Sequence, residues 1–179
     1  MKPVIRPAAP ADAVGLSIFA ARTFREAFGG DNNPADLARY LDEAFTHERQ
    51  AAEINDPDCI TLLAEEVAAD GRTQLIGYVQ LVVGAAPAVV TGPDPIELKR
   101  LYVAQQWHGA GTAHALLDAA LHAAQARGAR TCWLGVWERN KRAIAFYGKH
   151  GFQRVGEHTF MLGSDPQTDW LLARAVNDE

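Results

Sequence analysis

The most regular run of apolar positions in the chain predicts a helix over residues 111–127. Its apolar side chains recur three and four positions apart, which places them on one face of an α-helix. Gly128 follows the run, and glycine commonly ends helices because it adopts left-handed backbone angles at little cost. The apolar positions of this face are Ala113, Leu116, Leu117, Ala120, Leu121 and Ala124.

Apolar and β-branched stretches on both sides of this helix predict two strands, over residues 96–103 and 131–136. The second stretch is nearly continuous in apolar residues, as expected for a strand covered by helices on both faces. Because a helix joins them, the two strands are expected to lie parallel, in a right-handed crossover. Two consecutive polar residues, Lys99 and Arg100, interrupt the alternation of the first strand and predict a β-bulge there.

The first third of the chain is mainly helical in pattern. A short strand over residues 4–6 precedes a helix that ends at Gly29-Gly30. A second helix starts at Pro34, since proline is favoured at the first helical position, and a further helical segment covers residues 46–54. Helices placed between a first and a second strand either cover a ligand cleft or simply pack on the sheet, and the pattern leaves both interpretations open.

The other apolar runs complete a mixed sheet. Residues 59–64 and 74–83 predict an antiparallel hairpin, and a proline-containing loop over residues 84–95 follows it. Beyond the second central strand, a shorter helix is expected from Asn140 to Gly151. Two final strands then pair around a connection at residues 163–167. They cover residues 152–162 and 169–176.

These elements predict a mixed α/β sheet with helices on both faces, in one domain over residues 1–179. The net charge of −5 argues against a nucleic-acid-binding surface, which is usually basic. The negative charge suits a cationic substrate, but acidic cytosolic proteins are common, so the charge alone does not indicate such a substrate. Cys59 and Cys132 lie in separate apolar runs, and both are expected to be reduced. No secretory signal or membrane-spanning stretch is visible, so a soluble, cytoplasmic protein is expected.

The loop between the first central strand and the regular helix is the strongest candidate for a binding element. It reads Gln106-Trp107-His108-Gly109-Ala110-Gly111-Thr112. Glycines let backbone N–H groups approach a bulky anion closely, and a helix N-terminus adds unpaired N–H groups and the positive end of its dipole. A strand, a glycine turn and a helix in this order therefore predict a seat for a pyrophosphate, although short Gly-x-Gly turns also occur simply as turns.

Two motifs in this order resemble the GNAT superfamily of N-acetyltransferases. The first is Gln106-x-x-Gly109-x-Gly111 after a strand, and the second is Asn140-x-x-Ala143-x-x-Phe146-Tyr147-x-x-x-Gly151-Phe152. The resemblance implies a mostly antiparallel mixed sheet in which the central parallel strand pair splays apart. It also implies acetyl-CoA as cosubstrate, a small-molecule amine as acceptor, and a possible homodimer.

A narrower resemblance is to the PaiA-type polyamine acetyltransferases, which acetylate spermidine and spermine. It rests on Thr23-Phe24 and Asn33-Pro34 near the start of the chain, on residues 133–138, and on Gly156-x-His158-x-Phe160-x-x-Gly163 with Gln167-Thr168-Asp169. Two alternatives stay open. One is a related enzyme that acetylates an amino acid, an aminoglycoside-like amine or a protein N-terminus, and the other is a CoA-binding regulatory module without catalysis.

The resemblance also implies where the cosubstrate binds. Backbone N–H groups of the glycine loop would hold the pyrophosphate, with Gln106 bracing the turn, and the end of the first central strand would pair with the pantetheine arm. Asn140 would bond the pantetheine. Arg142 and Lys149 would either contact the phosphates or remain solvated surface charges. The implied residues are Leu101, Tyr102, Val103, Gln106, His108, Gly109, Ala110, Gly111, Thr112, Ala113, Asn140, Lys141, Arg142, Tyr147 and Lys149.

Acyl transfer needs a neutral amine, a donor for the developing oxyanion and an acid for the leaving thiolate. By resemblance, Tyr147 protonates the CoA sulfur, and a backbone N–H in residues 101–103 meets the oxyanion. Glu97 is either the base that deprotonates the amine or an ordinary strand-edge carboxylate, and His158 has a structural or a catalytic role. Further acidic candidates for holding a polycation are Glu26, Asp31 and Glu138.

No metal site is expected from the sequence. His114 and His122 are eight positions apart on one predicted helix, and neither is expected to have a carboxylate partner at ligand spacing. Trp133 and Trp137 flank the second central strand and are expected to pack in the core or form a cleft wall.

Overall fold

The computed structural model describes residues 3–176, and within them seven strands form one sheet in the order β1-β2-β3-β4-β5-β7-β6. Only the central β4–β5 pair is parallel in this sheet, as the crossover through a helix requires. The strands are β1 Val4–Pro7, β2 Cys59–Val67, β3 Thr73–Val83, β4 Pro95–Val103, β5 Thr131–Trp137, β6 Gln153–Leu162 and β7 Asp165–Ala175. The fold class expected from the sequence is confirmed.

Five α-helices occupy the same part of the chain. Two short 3-10 turns, Pro10–Asp12 and Gln105–Trp107, precede the first and the fourth helix. The helices are α1 Ala13–Phe28, α2 Pro34–Ala44, α3 His47–Asn55, α4 Thr112–Ala126 and α5 Lys141–Lys149. Not one of the helices within residues 3–176 is long and apolar enough to cross a membrane.

Side-chain caps fix the starts of three helices. Asn33 accepts a hydrogen bond from Ala35 N at the start of α2, Thr46 accepts one from Arg49 N at the start of α3, and Asn140 accepts one from Ala143 N at the start of α5. Such caps satisfy N–H groups that have no partner inside the helix. These boundaries therefore follow from local sequence.

The sheet separates two apolar cores. Leu62 and Leu63 are neighbours on β2, yet they belong to opposite cores because successive strand residues point to opposite faces. One core lies under α4 and α5, and the other lies under α1 and α2. Gly77 on β3 lets α4 pack closely, since a Cβ there would lie 2.9 Å from Cδ1 of Leu116.

The predicted bulge is present in β4. Gln80 faces Arg100 while the next residue of β3, Leu81, faces Leu98, so Lys99 is the additional residue. The bulge resets the alternation, and Leu101 and Val103 return to the core that holds Leu98.

The expected connection over residues 163–167 is wrong, because β7 already begins at Asp165 and the turn is Gly163-Ser164. Gly163 supplies the left-handed backbone angle (φ 62°) that this tight turn uses. Pro166 is compatible with this strand, because β5 pairs with β7 only from Asp169 onward and the missing N–H of proline leaves no ladder position on that side empty. Cys59 and Cys132 are free thiols, as expected.

Candidate active site

The parallel pairing of β4 and β5 ends where Glu97 faces Trp133. Beyond this point the two strands separate, and a cavity of about 910 Å³ opens between them. Residues of the glycine loop, the start of α5, α1 and the β6–β7 hairpin complete its walls. The splayed strand pair implied by the family resemblance is therefore present.

The end of β4 presents free backbone groups to this cavity. Ala104 N donates to Ile76 O on β3, and amide directions alternate along a strand, so Tyr102 also turns its amide toward β3. Leu101 and Val103 then direct their N–H and C=O groups to the open side, where Val103 O is already bonded to the His108 ring. Tyr102 contributes its ring instead, which stacks on Tyr78 at a centroid distance of 5.8 Å.

The glycine loop ends directly in the N-terminus of α4. Gly109 and Gly111 have φ values of 81° and 84°, which only glycine adopts readily. The hydrogen bond from Ala115 N to Gly111 O opens the helical ladder, so the N–H groups of residues 112–114 have no helical partner. Within the loop, His108 and Ala110 donate their N–H groups to Gln105 O and Trp107 O, which leaves the helix N-terminus as the main anion seat.

His108 connects the two separated elements. Its Nε2 lies 2.9 Å from Val103 O, and its Nδ1 lies 2.8 Å from Nη1 of Arg142. A guanidinium only donates hydrogen bonds, so Nδ1 accepts and the ring carries its proton on Nε2. This chain of contacts holds Arg142, at the start of α5, beside the glycine loop.

Tyr147 reaches the cavity from α5 and is 8% exposed. Its ring packs edge-on against Phe146 and Phe152. Burial raises the pKa of the Tyr147 phenol above its usual value, so the hydroxyl keeps its proton at neutral pH and is available as a donor.

The other end of the cavity is acidic. Glu97 lies half-buried in the wall, and burial raises the pKa of its carboxyl against the opposing charges of Lys99 and His158. Asp169 on β7 faces His158 across the hairpin, with Nε2 and Oδ2 separated by 3.8 Å. Burial likewise raises the pKa of Asp169.

Gly135 on β5 keeps this acidic end open. A Cβ at this position would lie 3.4 Å from both Oδ2 of Asp169 and Nε2 of His158. A side chain here would project into the space that the two groups face. The sequence pattern drew attention to His158 but did not assign a role to Asp169, which becomes apparent only from the register of β6 and β7.

Aromatic rings form the wall opposite the strands. Phe24 on α1 contacts Phe28, Tyr40, Phe45 and Tyr102 at centroid distances between 4.6 and 6.1 Å. The lining also includes Trp137 and Phe160. The acidic end of the cavity thus combines aromatic faces with two carboxylates.

The structure brings together most of the expected site residues. Those that line the cavity are Glu97, Leu101, Tyr102, Val103, His108, Gly109, Gly111, Ala113, Asn140, Arg142 and Tyr147, together with Glu26, Trp137 and His158. Those outside its lining are Gln106, Ala110, Thr112, Lys141, Lys149, Asp31, Glu138 and Trp133. Of the two adjacent glutamines before the glycine loop, Gln105 and not Gln106 reaches the cavity wall.

A buried ion network fixes the bulge and was not anticipated from the sequence. Arg100 is 7% exposed, and its Nη1 donates to Glu53 Oε2 at 2.6 Å and to Gln80 Oε1 at 3.0 Å. Lys99 donates to the other Glu53 oxygen at 3.1 Å. Glu53 lies on α3, so this network ties the helical segment to the bulge beside the cavity.

The expectation that His114 has no carboxylate partner at ligand spacing is wrong. His114 has a carboxylate partner one helical turn away, since its Nε2 lies 3.2 Å from Oδ2 of Asp118. His150, at the end of α5, also approaches His114.

Residues 23–152 match the model of the Acetyltransferase (GNAT) family, and the chain belongs to this family. It is therefore an acyltransferase that depends on acetyl-CoA. It is 36% identical over 165 residues to an uncharacterised N-acetyltransferase of Mycobacterium bovis, covering 92% of this chain and 98% of the relative. It is 33% identical over 154 residues to another from Lactobacillus delbrueckii subsp. lactis, covering 86% of each.

Among solved structures, the fold is similar to that of the PaiA N-acetyltransferase from Thermoplasma acidophilum in complex with coenzyme A. The TM-score is 0.77 at 22% identity, with 98% of this chain and 99% of the other covered. At this identity the likeness concerns the fold.

Proposed function

We propose that this enzyme transfers the acetyl group of acetyl-CoA to a primary amine of a polyamine such as spermidine or spermine. The observation that carries the proposal is the acceptor end of the cavity, where Glu97 and Asp169 face an aromatic wall. Carboxylates attract ammonium groups, and aromatic faces stabilise them further through cation–π contacts. The bound coenzyme A of the Thermoplasma protein supports the cosubstrate, and the resemblance to the PaiA-type motifs supports the acceptor.

In this proposal the cosubstrate fills the gap between β4 and β5. The pantetheine arm pairs with the outward N–H groups of Leu101 and Val103 and with the C=O of Leu101, as an added strand would. The pyrophosphate meets the N–H groups at the start of α4 and the guanidinium of Arg142. Asn140 already caps α5 through its side-chain oxygen, so it contributes to pantetheine binding chiefly by fixing this helix start.

The acyl transfer then follows from the two ends of the cavity. Glu97 removes a proton from the ammonium, and the neutral nitrogen attacks the thioester carbon. An outward N–H of β4 stabilises the oxyanion that forms. The C–S bond breaks as the intermediate collapses, and Tyr147 donates its proton to the leaving sulfur. The acylated nitrogen loses its second proton to solvent, from which Tyr147 regains one, and the products are free CoA and the acetylated amine.

Asp169 and His158 bind the distant part of the acceptor. A second ammonium group of a polyamine has to be held away from the reacting nitrogen, and Asp169 offers a half-buried carboxylate for it. Asp169→Asn should therefore raise KM for a polyamine more than KM for a monoamine. Asp165, at the exposed tip of the same strand, provides the matched control Asp165→Asn.

The experiment that tests the function is a panel assay of free CoA release. The acceptors are spermidine, spermine, amino acids, an aminoglycoside and a peptide with a free N-terminus. Turnover with the polyamines, at a kcat/KM well above that of the other amines, is the expected result. Turnover only with another amine would overturn the polyamine assignment. Calorimetric binding of acetyl-CoA without transfer to any acceptor would instead favour a regulatory module.

A further inference from the structure

Three potential metal ligands converge where α4 and α5 approach one another. Within residues 3–176, His114, Asp118 and His150 each offer a ligand atom, and these atoms lie within 4.8 Å of one another. His114 and Asp118 are one turn apart on α4, and His150 follows the last residue of α5. Helix packing therefore assembles a set that no short stretch of sequence contains.

The distances fit a shared cation better than a direct hydrogen bond. Nδ1 of His114 lies 3.4 Å from Nε2 of His150, which is longer than a normal N–H···N contact. Two nitrogens bound to one Zn²⁺ at about 2.0–2.1 Å in a tetrahedron stand about 3.4 Å apart. Asp118 Oδ2 lies 3.2 Å from Nε2 on the other side of the His114 ring. One ligand atom from each of the three residues already lies within 4.8 Å of the others, so rotation of the Asp118 side chain together with the exposed His114 ring brings all three into one shell.

His150 is held in place before any ion binds. Its N–H donates to Tyr147 O, and its carbonyl accepts a hydrogen bond from Nη1 of Arg174 at 2.7 Å. Its ring packs on Phe146 at a centroid distance of 4.6 Å. Since one ligand is already fixed, less conformational entropy is lost when an ion orders the other two.

We propose that His114, Asp118 and His150 form a surface site for a divalent transition-metal ion. Two imidazoles and one carboxylate suit Zn²⁺, Co²⁺ or Ni²⁺, whereas Mg²⁺ and Ca²⁺ prefer sets made only of oxygen. Water occupies the remaining positions. The ion links α4 to α5 beside the glycine loop and so stiffens the rim of the cavity without taking part in acyl transfer.

The test uses tag-free full-length protein freed of metal by chelation and dialysis. Titration with Co²⁺, followed by its visible ligand-field bands, should show one ion per chain that Zn²⁺ displaces. His114→Ala and His150→Ala should each weaken binding by roughly tenfold or more, in line with the loss of a metal ligand. His122→Ala is the matched control, because His122 is an exposed histidine on α4 outside the cluster.

A second measurement separates metal binding from folding. Zn²⁺ should raise the melting temperature of the wild type, because a ligand that binds only the folded state stabilises it, but not that of the His114→Ala/His150→Ala variant. Circular dichroism verifies that this variant is folded. Absence of saturable Co²⁺ binding, or an equal loss in His122→Ala, would overturn the proposal. Neither readout requires acetyl transfer, so the outcome is independent of the acceptor.

Discussion

Arg142 Nη1 donates to His108 Nδ1 over 2.8 Å, across the mouth of the gap between β4 and β5. His108 passes the connection on to Val103 O. The contact fixes a cation of α5 next to the N-terminus of α4, where the proposed pyrophosphate binds. The position of Arg142 therefore depends on Nδ1 of His108 accepting a hydrogen bond, whereas an isolated surface arginine would have no fixed position.

Arg142→Ala should therefore weaken acetyl-CoA binding by about tenfold, the equivalent of one charge-assisted hydrogen bond, with a much smaller change in kcat. The acetyl-CoA affinity of Arg142→Lys should lie between that of the wild type and that of Arg142→Ala, since lysine keeps the charge but lacks the planar guanidinium. Calorimetric titration with CoA and initial rates measure both quantities. The control is Arg72→Ala in the exposed β2–β3 turn. An unchanged CoA affinity in Arg142→Ala would remove this residue from the phosphate site.

Tyr147→Phe should lower kcat by about 10²-fold or more, the usual contribution of a positioned general acid. The affinity for CoA should stay nearly constant, because the ring and its contacts with Phe146 and Phe152 are preserved. Single-turnover kinetics and CoA titration separate the two effects. If kcat is unchanged, the leaving sulfur takes its proton from another donor.

Glu97→Gln should reduce kcat/KM most at neutral pH and least at high pH, where the amine loses its proton without help. The wild-type rate should fall as the pH drops through the pKa of Glu97, which burial holds above the ordinary value of 4.5. A pH–rate profile of both proteins measures this. A loss that is equal at all pH values would contradict the role of a base.

The same Glu97→Gln substitution should not destabilise the folded protein at neutral pH. A carboxyl whose pKa is raised on folding binds its proton more readily in the folded state, so its ionised form opposes folding above that pKa. Removing the charge removes this cost. Denaturant unfolding at pH 7 is expected to show an equal or higher free energy of unfolding, and a clear decrease would reveal a structural role for the carboxylate.

Glu53→Gln should destabilise the fold by about 3 kcal/mol, because it leaves the buried Arg100 guanidinium without its anionic partner. Burial alone would raise the pKa of Glu53, but Arg100 and Lys99 outweigh it and lower the pKa below 4.5. The stabilising contribution is thus present above pH 4.5 and is lost as the pH falls through the lowered pKa. Urea unfolding across this acidic range should show a weaker pH dependence in the variant. Glu48→Gln, on the exposed side of α3, is the control.

Tyr78→Phe should stabilise the protein by roughly 1 kcal/mol. The hydroxyl of Tyr78 is buried and has no hydrogen-bond partner within residues 3–176, and an unsatisfied buried hydroxyl costs free energy. The ring contacts with Phe19 and Tyr102 remain. Thermal and chemical unfolding measure the change. A loss of stability instead would indicate that a bound water satisfies this hydroxyl.

The sequence predicts the elements that depend on short-range chemistry. The helix caps, the glycine loop and the bulge at Lys99 follow from side chains within a few positions of the feature they create. The resemblance to known acetyltransferases then assigned the cosubstrate and the tyrosine. Both the splayed strands and the position of Tyr147 in the cavity wall agree with it.

Features that depend on long-range packing were not predictable in the same way. The partnership of Glu53 with Arg100 joins residues 47 positions apart, and that of His114 with His150 joins residues 36 positions apart. Asp169 meets His158 only because the β6–β7 turn has two residues, whereas the sequence pattern predicts a connection over residues 163–167. A shift of one residue in that hairpin would turn Asp169 away from the cavity.

Hydrogen bonds between α2 and the β6–β7 turn affect how the preference for the acceptor amine can change. Asp36 on α2 accepts hydrogen bonds from Ser164 N at 3.0 Å and from Ser164 Oγ at 3.1 Å, and Tyr40 meets Phe160 edge-on. The helix α2 and the β6–β7 hairpin are far apart in the sequence, but these contacts make them one structural unit that has to be exchanged together. A chimera that takes only α1 and α2 from a relative should lose activity. A chimera that also takes the relative's β6–β7 hairpin should acquire the amine specificity of that relative.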